Sequence, residues 1–290
     1  MASPREIRRR IRGVRNMSQI TRAIQMVAAT KMRRAQERST ASRPYSERLR
    51  EFIADLSSQQ MDAEELRQYP LLEDRPVNTA GMILITPDRG LTGALNGNLI
   101  RRGVRFIRED AGVPTKVIAV GKKGRDFMTR TDQDLIADFT GLGDGPSLDD
   151  IRPIAQIAIQ EFLTGSVDSV HLVYPKFVNT LTQTPEVVQI LPIVRPEGDE
   201  AQDVNYIFEP DAPTVLNEIL PRYVEVLLYQ AVLETVASFY SAQMVAMRNA
   251  TDNAKELAED LDLSLNKARQ AQITNEVAEI SAGANAFRVD

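Results

Sequence analysis

Between Pro221 and Ala282 the chain contains no glycine, and through it runs a comb of residues that steps four, then three: Leu233, Ala237, Tyr240, Met244, Met247, Thr251, Ala254, Ala258, Leu261, Leu265 and Ala268. A heptad comb sustained this long specifies a coiled-coil helix. At about 1.5 Å per residue it spans roughly 90 Å, several times the radius of a globular domain of this size. Such a helix cannot be swallowed by a compact core and has to find a partner along its length. Several seam positions are Ala or Thr, which lets a second helix approach closely; alanine is also simply a good helix former.

The other end of the chain supplies that partner. From about Pro4 to Leu56 there is no glycine except Gly13, and Pro4 follows Ser3 as a first-turn proline should. The segment reads as one helix of roughly 80 Å. Apolar residues fall at Ile7, Ile11 and Val14, shift to Ile20, Ile24 and Val27, and settle at Tyr45, Leu49, Phe52 and Leu56. The shifts predict a partner that changes along the helix, with a kink at Pro44. The economical arrangement pairs the two terminal helices antiparallel as a protruding rod, with whatever lies between them as a knob at one end.

Between the helices, from about Val77 to Ile193, short apolar runs alternate with helical patterns. AGMILIT, TKVIAV, DLIADF and DSVHLVY read as strands, and helices are expected from Leu95, after Gly121 and after Ser147. That order predicts a mostly parallel α/β sheet. Ser147 and Asp150 have the spacing of a capping pair. Beyond Pro175, KFVNTLTQ and PEVVQILPIV read as two added strands near the sheet edge, followed by a polar connection from Arg195 to Asp203. The domains expected are a helix over 1–60, an α/β module over 77–195 and a helix over 213–286.

Composition then narrows the chemistry. No window approaches the roughly 18 to 20 apolar residues that cross a bilayer, and the N-terminus lacks the apolar stretch of a secretory signal. Glu6 interrupts the Arg-rich start, whose apolar spacing already belongs to the helix, so a cleaved transit peptide is not expected. The 290 residues contain no cysteine, which excludes thiol chemistry, and one histidine, His171, placed in a strand where a core role is expected. Residues 1–50 carry fourteen Lys or Arg against Glu6, Glu37 and Glu47, while the whole chain is net −5. This start calls for an acidic partner.

Two glycine-rich turns raise the possibility of a nucleotide site. The first, PDRGLTGALNG, has neither dinucleotide spacing nor a phosphate-loop Lys and Ser/Thr; the second, GLGDGPS, puts Asp144 where pyrophosphate would sit and Pro146 where a small residue belongs. Both read as structural turns. Asp149 with Asp150, and Asp132 with Asp134, have no His or Cys to complete a metal shell. A basic coiled coil that binds nucleic acid, or a nucleotide-binding α/β enzyme, are the alternatives; low aromatic content and apolar residues among the basic ones argue against the first.

The residues carry a resemblance. IRRRIRGVRNMSQITRAIQMVAATKMRRAQ, TPDRGLTGALN, TGLGDGPS, YIFEPD, MVAMRNATDNA and NKARQAQITNEVAEISAGA together resemble the gamma subunit of rotary F-type ATP synthases over essentially the whole chain, most closely at its two ends. The resemblance implies an antiparallel coiled coil plus a Rossmann-like α/β domain. It also implies a non-catalytic rotor shaft without cofactor or metal, peripheral on the cytoplasmic side of a bacterial membrane. The partners implied are three alpha and three beta subunits, an epsilon subunit and the membrane ring of c subunits, with no nucleic acid and no membrane insertion. By the same likeness Arg269, Gln270 and Thr274 match residues that hydrogen-bond a catch loop of beta, and Ile273, Val277 and Ile280 an apolar bearing. Arg8, Arg9, Arg12, Arg33 and Arg34 would face acidic loops of beta, and Tyr206 and Glu209 would lie near epsilon and the ring. The cysteine-bearing insertion of light-regulated plastid relatives is missing, so gating of that kind is not expected. Thr92 and Ala94 stand where the family often has cysteine and glycine, which argues against assigning chemistry to that turn.

Overall fold

The computed structural model describes residues 3–58, 69–194 and 212–286. The elements are α1 (Pro4–Ser58), β1 (Ala80–Ile85), α2 (Leu95–Arg105), β2 (Thr115–Val120), α3 (Lys122–Arg130), β3 (Leu135–Phe139), α4 (Leu148–Leu163), β4 (Ser169–Phe177), β5 (Gln183–Leu191) and α5 (Ala212–Ala286). They divide into two units: residues 28–243, and residues 1–27 with 244–290.

In the larger unit the sheet order is β3-β2-β1-β4-β5, parallel throughout except for β5, which runs antiparallel on the edge beside β4. β1 is buried on both faces along its whole length, as a central parallel strand requires. Its alternate residues feed two layers. Ile83 and Ile85 pack with Ile154, Ala158 and Phe162 of α4 and with Leu220, Val224 and Leu228 of α5, while Met82 and Leu84 pack with Phe106 and Met128 on the opposite face. The expected capping pair closes α4: the Ser147 backbone N–H donates to Asp150 at 2.8 Å, and the Asp150 N–H donates back to the Ser147 hydroxyl at 3.4 Å.

The two added strands expected after Pro175 are one. Lys176 and Phe177 continue β4, residues 178–182 turn, and Gln183 opens β5. Proline does not stop β4 because its pairing with β1 ends at Val173; beyond that point only β5 lies alongside, with Pro175 opposite Pro185. Nor does Pro44 end α1.

In the smaller unit the ends of α1 and α5 pair antiparallel, with the Thr21 and Thr251 hydroxyls 2.7 Å apart and buried and Arg15 on Asp262 at 2.6 Å. Every position of the α5 comb from Leu233 to Ala268 is buried or half-buried. On α1 the expectation of a shifting seam is overturned. Buried and half-buried positions continue in unbroken four-three steps through Ile7, Ile11, Val14, Ser18, Thr21, Gln25, Ala28, Met32, Ala35, Ser39 and Ser42 to Ser46, Leu49 and Ile53. Ile20 and Val27 are each 55% exposed, and Tyr45 is exposed too. From Ser18 to Ser46 most seam side chains are small, which lets two backbones approach closely, and Ile20, Val27 and Tyr45 are left on the outer face.

Candidate functional site

α5 carries the expected contact residues beyond the last comb position. Arg269, Gln270, Ile273, Thr274, Val277 and Ile280 are all exposed, Ile280 at 72%. One helical turn brings Gln270 and Thr274 together, where the Thr274 hydroxyl donates to the Gln270 carbonyl at 2.9 Å. That bond uses the Gln270 backbone carbonyl, and the exposed Gln270 side-chain amide has no hydrogen-bond partner among the described residues. Ile273, Val277 and Ile280 repeat at four and three, but no described residue covers them; they are an outward apolar stripe and not the end of the seam.

The basic residues are likewise outward. Arg8, Arg9, Arg12, Arg33 and Arg34 are all exposed, and only Arg33 has an acidic partner among the described residues, Glu37 one turn along at 3.1 Å. The structure groups Arg8, Arg9 and Arg12 in the smaller unit and Arg33 and Arg34 in the larger. Tyr206 and Glu209 lie outside the described residues.

At the carboxyl ends of β1, β2 and β3, the place where open α/β sheets hold ligands, sits a pocket of about 70 Å3 lined by Thr86, Asp88, Arg89, Gly121, Gly141 and Asp144 on its polar side. Its anion position is taken by the chain itself. Asp88 accepts the Lys122 N–H at the start of α3 at 2.9 Å and the Gly141 N–H at 2.9 Å, so a carboxylate occupies the place where a bound phosphate would need those donors. Gly121 has φ 93°, and a Cβ there would lie 1.8 Å from the Thr86 carbonyl oxygen. The turn is a packing device that holds β1 against β2.

Beside the pocket Asp144 takes the Lys31 ammonium at 2.5 Å and the Arg89 guanidinium at 2.6 Å. Burial pushes its carboxyl up, but the Lys31 bond and the neighbouring cations leave it below the ordinary aspartate value. Lys31 is raised by the same bond, and Tyr240 beside them is raised by burial. His171 is a strand residue as expected: burial lowers its pKa, and its ring lies 4.8 Å from Phe106. Reading the sequence did not single out Asp88, Lys31 or Arg89. Their signal is weak, since a lone acid after a strand or a lone lysine on a basic helix has no spacing to mark it.

Fold and surfaces together define a protein of two long terminal helices around an inserted parallel-sheet module, its outward residues arrayed for macromolecular contact. A family model described as ATP synthase matches residues 3–287. An ATP synthase gamma chain from Roseiflexus sp. (strain RS-1) is 53% identical, with 99% of both chains covered, and one from Chloroflexus aurantiacus is 50% identical at the same coverage. Among solved structures, a chain of the Euglena gracilis mitochondrial ATP synthase assembly of OSCP, F1 and c-ring superposes with a TM-score of 0.71 at 23% identity, covering 98% of this chain and 94% of that one. A chain of the Tetrahymena thermophila mitochondrial central stalk and c-ring gives a TM-score of 0.60 at 21% identity, covering 80% and 99%. The chain belongs to the ATP synthase gamma chain family. No described helix is long and apolar enough to cross a membrane.

Proposed function

We propose that this chain is the rotor shaft that couples ion-driven turning of a membrane ring of c subunits to the conformational cycle of three catalytic beta subunits, which alternate with three alpha subunits around it. The observation that carries this reading is the exposed run Arg269–Ile280. There a helix that has finished its seam presents an amide, a cation and an apolar stripe, none of them covered by another described residue. A shaft whose two helices differ in length and surface offers each beta subunit a different face, so turning it biases each between conformations by differential contact.

In this reading Arg269, Gln270 and Thr274 hydrogen-bond a beta catch loop, and Ile273, Val277 and Ile280 turn in an apolar bearing. Arg8, Arg9, Arg12, Arg33 and Arg34 meet acidic loops of beta and steer assembly. The sheet module, 77–195, rests near the epsilon subunit and the ring, with Tyr206 and Glu209 at that contact, while 1–60 and 213–286 form the shaft. The complex sits peripherally on the cytoplasmic side of a bacterial membrane.

The experiment is Gln270→Leu in a reconstituted complex. Removing the amide strands a polar partner, at a cost of about 1–3 kcal/mol at that contact. Turnover or assembly is expected to fall while the isolated chain folds as before. Normal assembly, hydrolysis and ion coupling would remove Gln270 from the contact set.

A further inference from the structure

We infer that Asp144 is a latch tying the sheet module to both long helices, and that this latch keeps the module from turning independently of them under load; the second half rests on the rotor reading above.

Most of what holds the helices to the sheet within residues 28–243 is apolar. Leu216, Leu220, Val224, Leu228, Ala231 and Val232 of α5, and Ile53 of α1, press on the core. Burial of this kind is strong but non-directional, and it resists separation better than it resists sliding or twisting. A torque-bearing joint needs bonds with a fixed direction as well.

Asp144 supplies them at one point. It lies in the loop between β3 and α4, and its two carboxylate oxygens are shared between Lys31 on α1 and Arg89 in the loop after β1. Its backbone carbonyl accepts a third cation, Arg38, one to two turns further along α1, at 3.3 Å. α5 joins through its aromatic rings: the Lys31 ammonium lies 5.4 Å from the Tyr240 ring centre and the Arg89 guanidinium 5.7 Å from that of Phe239. Gly145 belongs to the same device, because a Cβ there would fall 1.9 Å from the Arg38 guanidinium and push it off the Asp144 carbonyl.

Each ion pair is about a third or more exposed, and an isolated pair so placed holds little. The arrangement here differs because one acid fixes two cations, each of which is also held against an aromatic ring of α5. The carboxylate anchors both cations, one on α1 and one in the loop after β1, so removing it frees the two together and loosens their hold on the α5 rings, while the Asp144 backbone carbonyl keeps Arg38.

The test uses Asp144→Ala and Asp144→Glu, in the isolated full chain and in the reconstituted complex. In the chain, Asp144→Ala is expected to speed amide exchange in residues 141–146 and in α1 over 31–38 by roughly tenfold, leaving β1 and β2 unchanged. Unchanged exchange in the loop, or acceleration spread equally through β1 and β2, would overturn the latch. In the complex, ATP hydrolysis is expected to stay within about twofold of wild type while ions pumped per ATP fall several-fold, with Asp144→Glu restoring most of the ratio. A pumping ratio untouched by Asp144→Ala would overturn the torsional role. If the wild-type chain failed to join an ATP synthase head, the rotor reading would fall, and the exchange experiment would still decide the latch.

Discussion

The helical pair of residues 1–27 with 244–290 and the sheet unit of residues 28–243 solve burial in opposite ways. The sheet unit has a two-sided core in which Phe162, Ile83, Leu84, Met128 and Ile154 are almost completely shielded. The helical pair has only a seam one residue wide, built largely from Ile7, Ile11, Thr21, Met247, Thr251 and Ala258, while Met17, Ile20, Val27, Ile273, Val277 and Ile280 are left outside. The sheet unit holds itself together. The pair leaves much of its apolar surface uncovered by the described residues, and in the rotor reading proposed above that surface is the one that meets other chains.

If the contrast is right, the largest single loss comes from the sheet core. Phe162→Ala removes a ring packed between α4 and the strands and is expected to cost about 3–5 kcal/mol, read as a drop in the urea midpoint of the sheet's unfolding. A loss of under 1 kcal/mol would mean the core is loosely packed and the contrast is not real. In the seam the expected error is overfilling. Ala258→Phe should cost about 1–3 kcal/mol, with melting of the helical pair lowered, because the site is only 7% exposed and faces a neighbouring helix. An unchanged melting temperature would place Ala258 on the surface.

That seam was only half legible in the sequence. On α5 large residues at Leu233, Tyr240, Met247 and Leu261 mark the comb, and its phase follows directly. On α1 the seam passes through Ser18, Thr21, Ser39 and Ser42, residues that no hydrophobic pattern selects, while Ile20 and Val27 draw the eye to the wrong face. The parallel strands from AGMILIT to DSVHLVY and the Ser147 cap were readable because they depend on local pattern. The KFVNTLTQ hairpin was not, because whether Pro175 interrupts a strand depends on how far β1 runs beside it. Among the site residues the C-terminal set was found by resemblance, and the structure adds that they are exposed. Asp88 and Asp144 needed the fold, since their partners lie 34 and 113 residues away.

A smaller effect sharpens the same comparison. The Thr21–Thr251 pair is a buried polar layer in the helical unit, and each hydroxyl also contacts the carbonyl one turn back on its own helix. Thr251→Val is expected to cost about 1 kcal/mol, and Thr21→Val with Thr251→Val less than the sum of the two. Strict additivity would show that the hydroxyls do not interact and that the layer does nothing to fix register.

The smallest expected effect belongs to acid pH and the sheet unit. Asp168 accepts the Asn78 and Thr79 backbone N–H groups at 2.8 and 3.0 Å and pairs with Arg75, and the first of these contributes most to holding its carboxyl below the ordinary value. A carboxyl depressed in the folded state adds stability above its unfolded value, near 4, and loses it as pH falls through the folded one. The urea midpoint of the sheet should therefore decline below about pH 4, and less steeply in Asp168→Asn. An identical slope in the variant would assign the acid sensitivity to other carboxylates.

The central claim is that this chain turns. Because it has no cysteine, Arg108→Cys at an exposed position of the sheet unit gives a single attachment point for a bead or gold particle. With the head of the reconstituted complex fixed to glass through its beta subunits, added ATP is expected to drive the probe round in one direction in steps of a third of a turn. A probe that stays still while the immobilised head hydrolyses ATP would contradict the account.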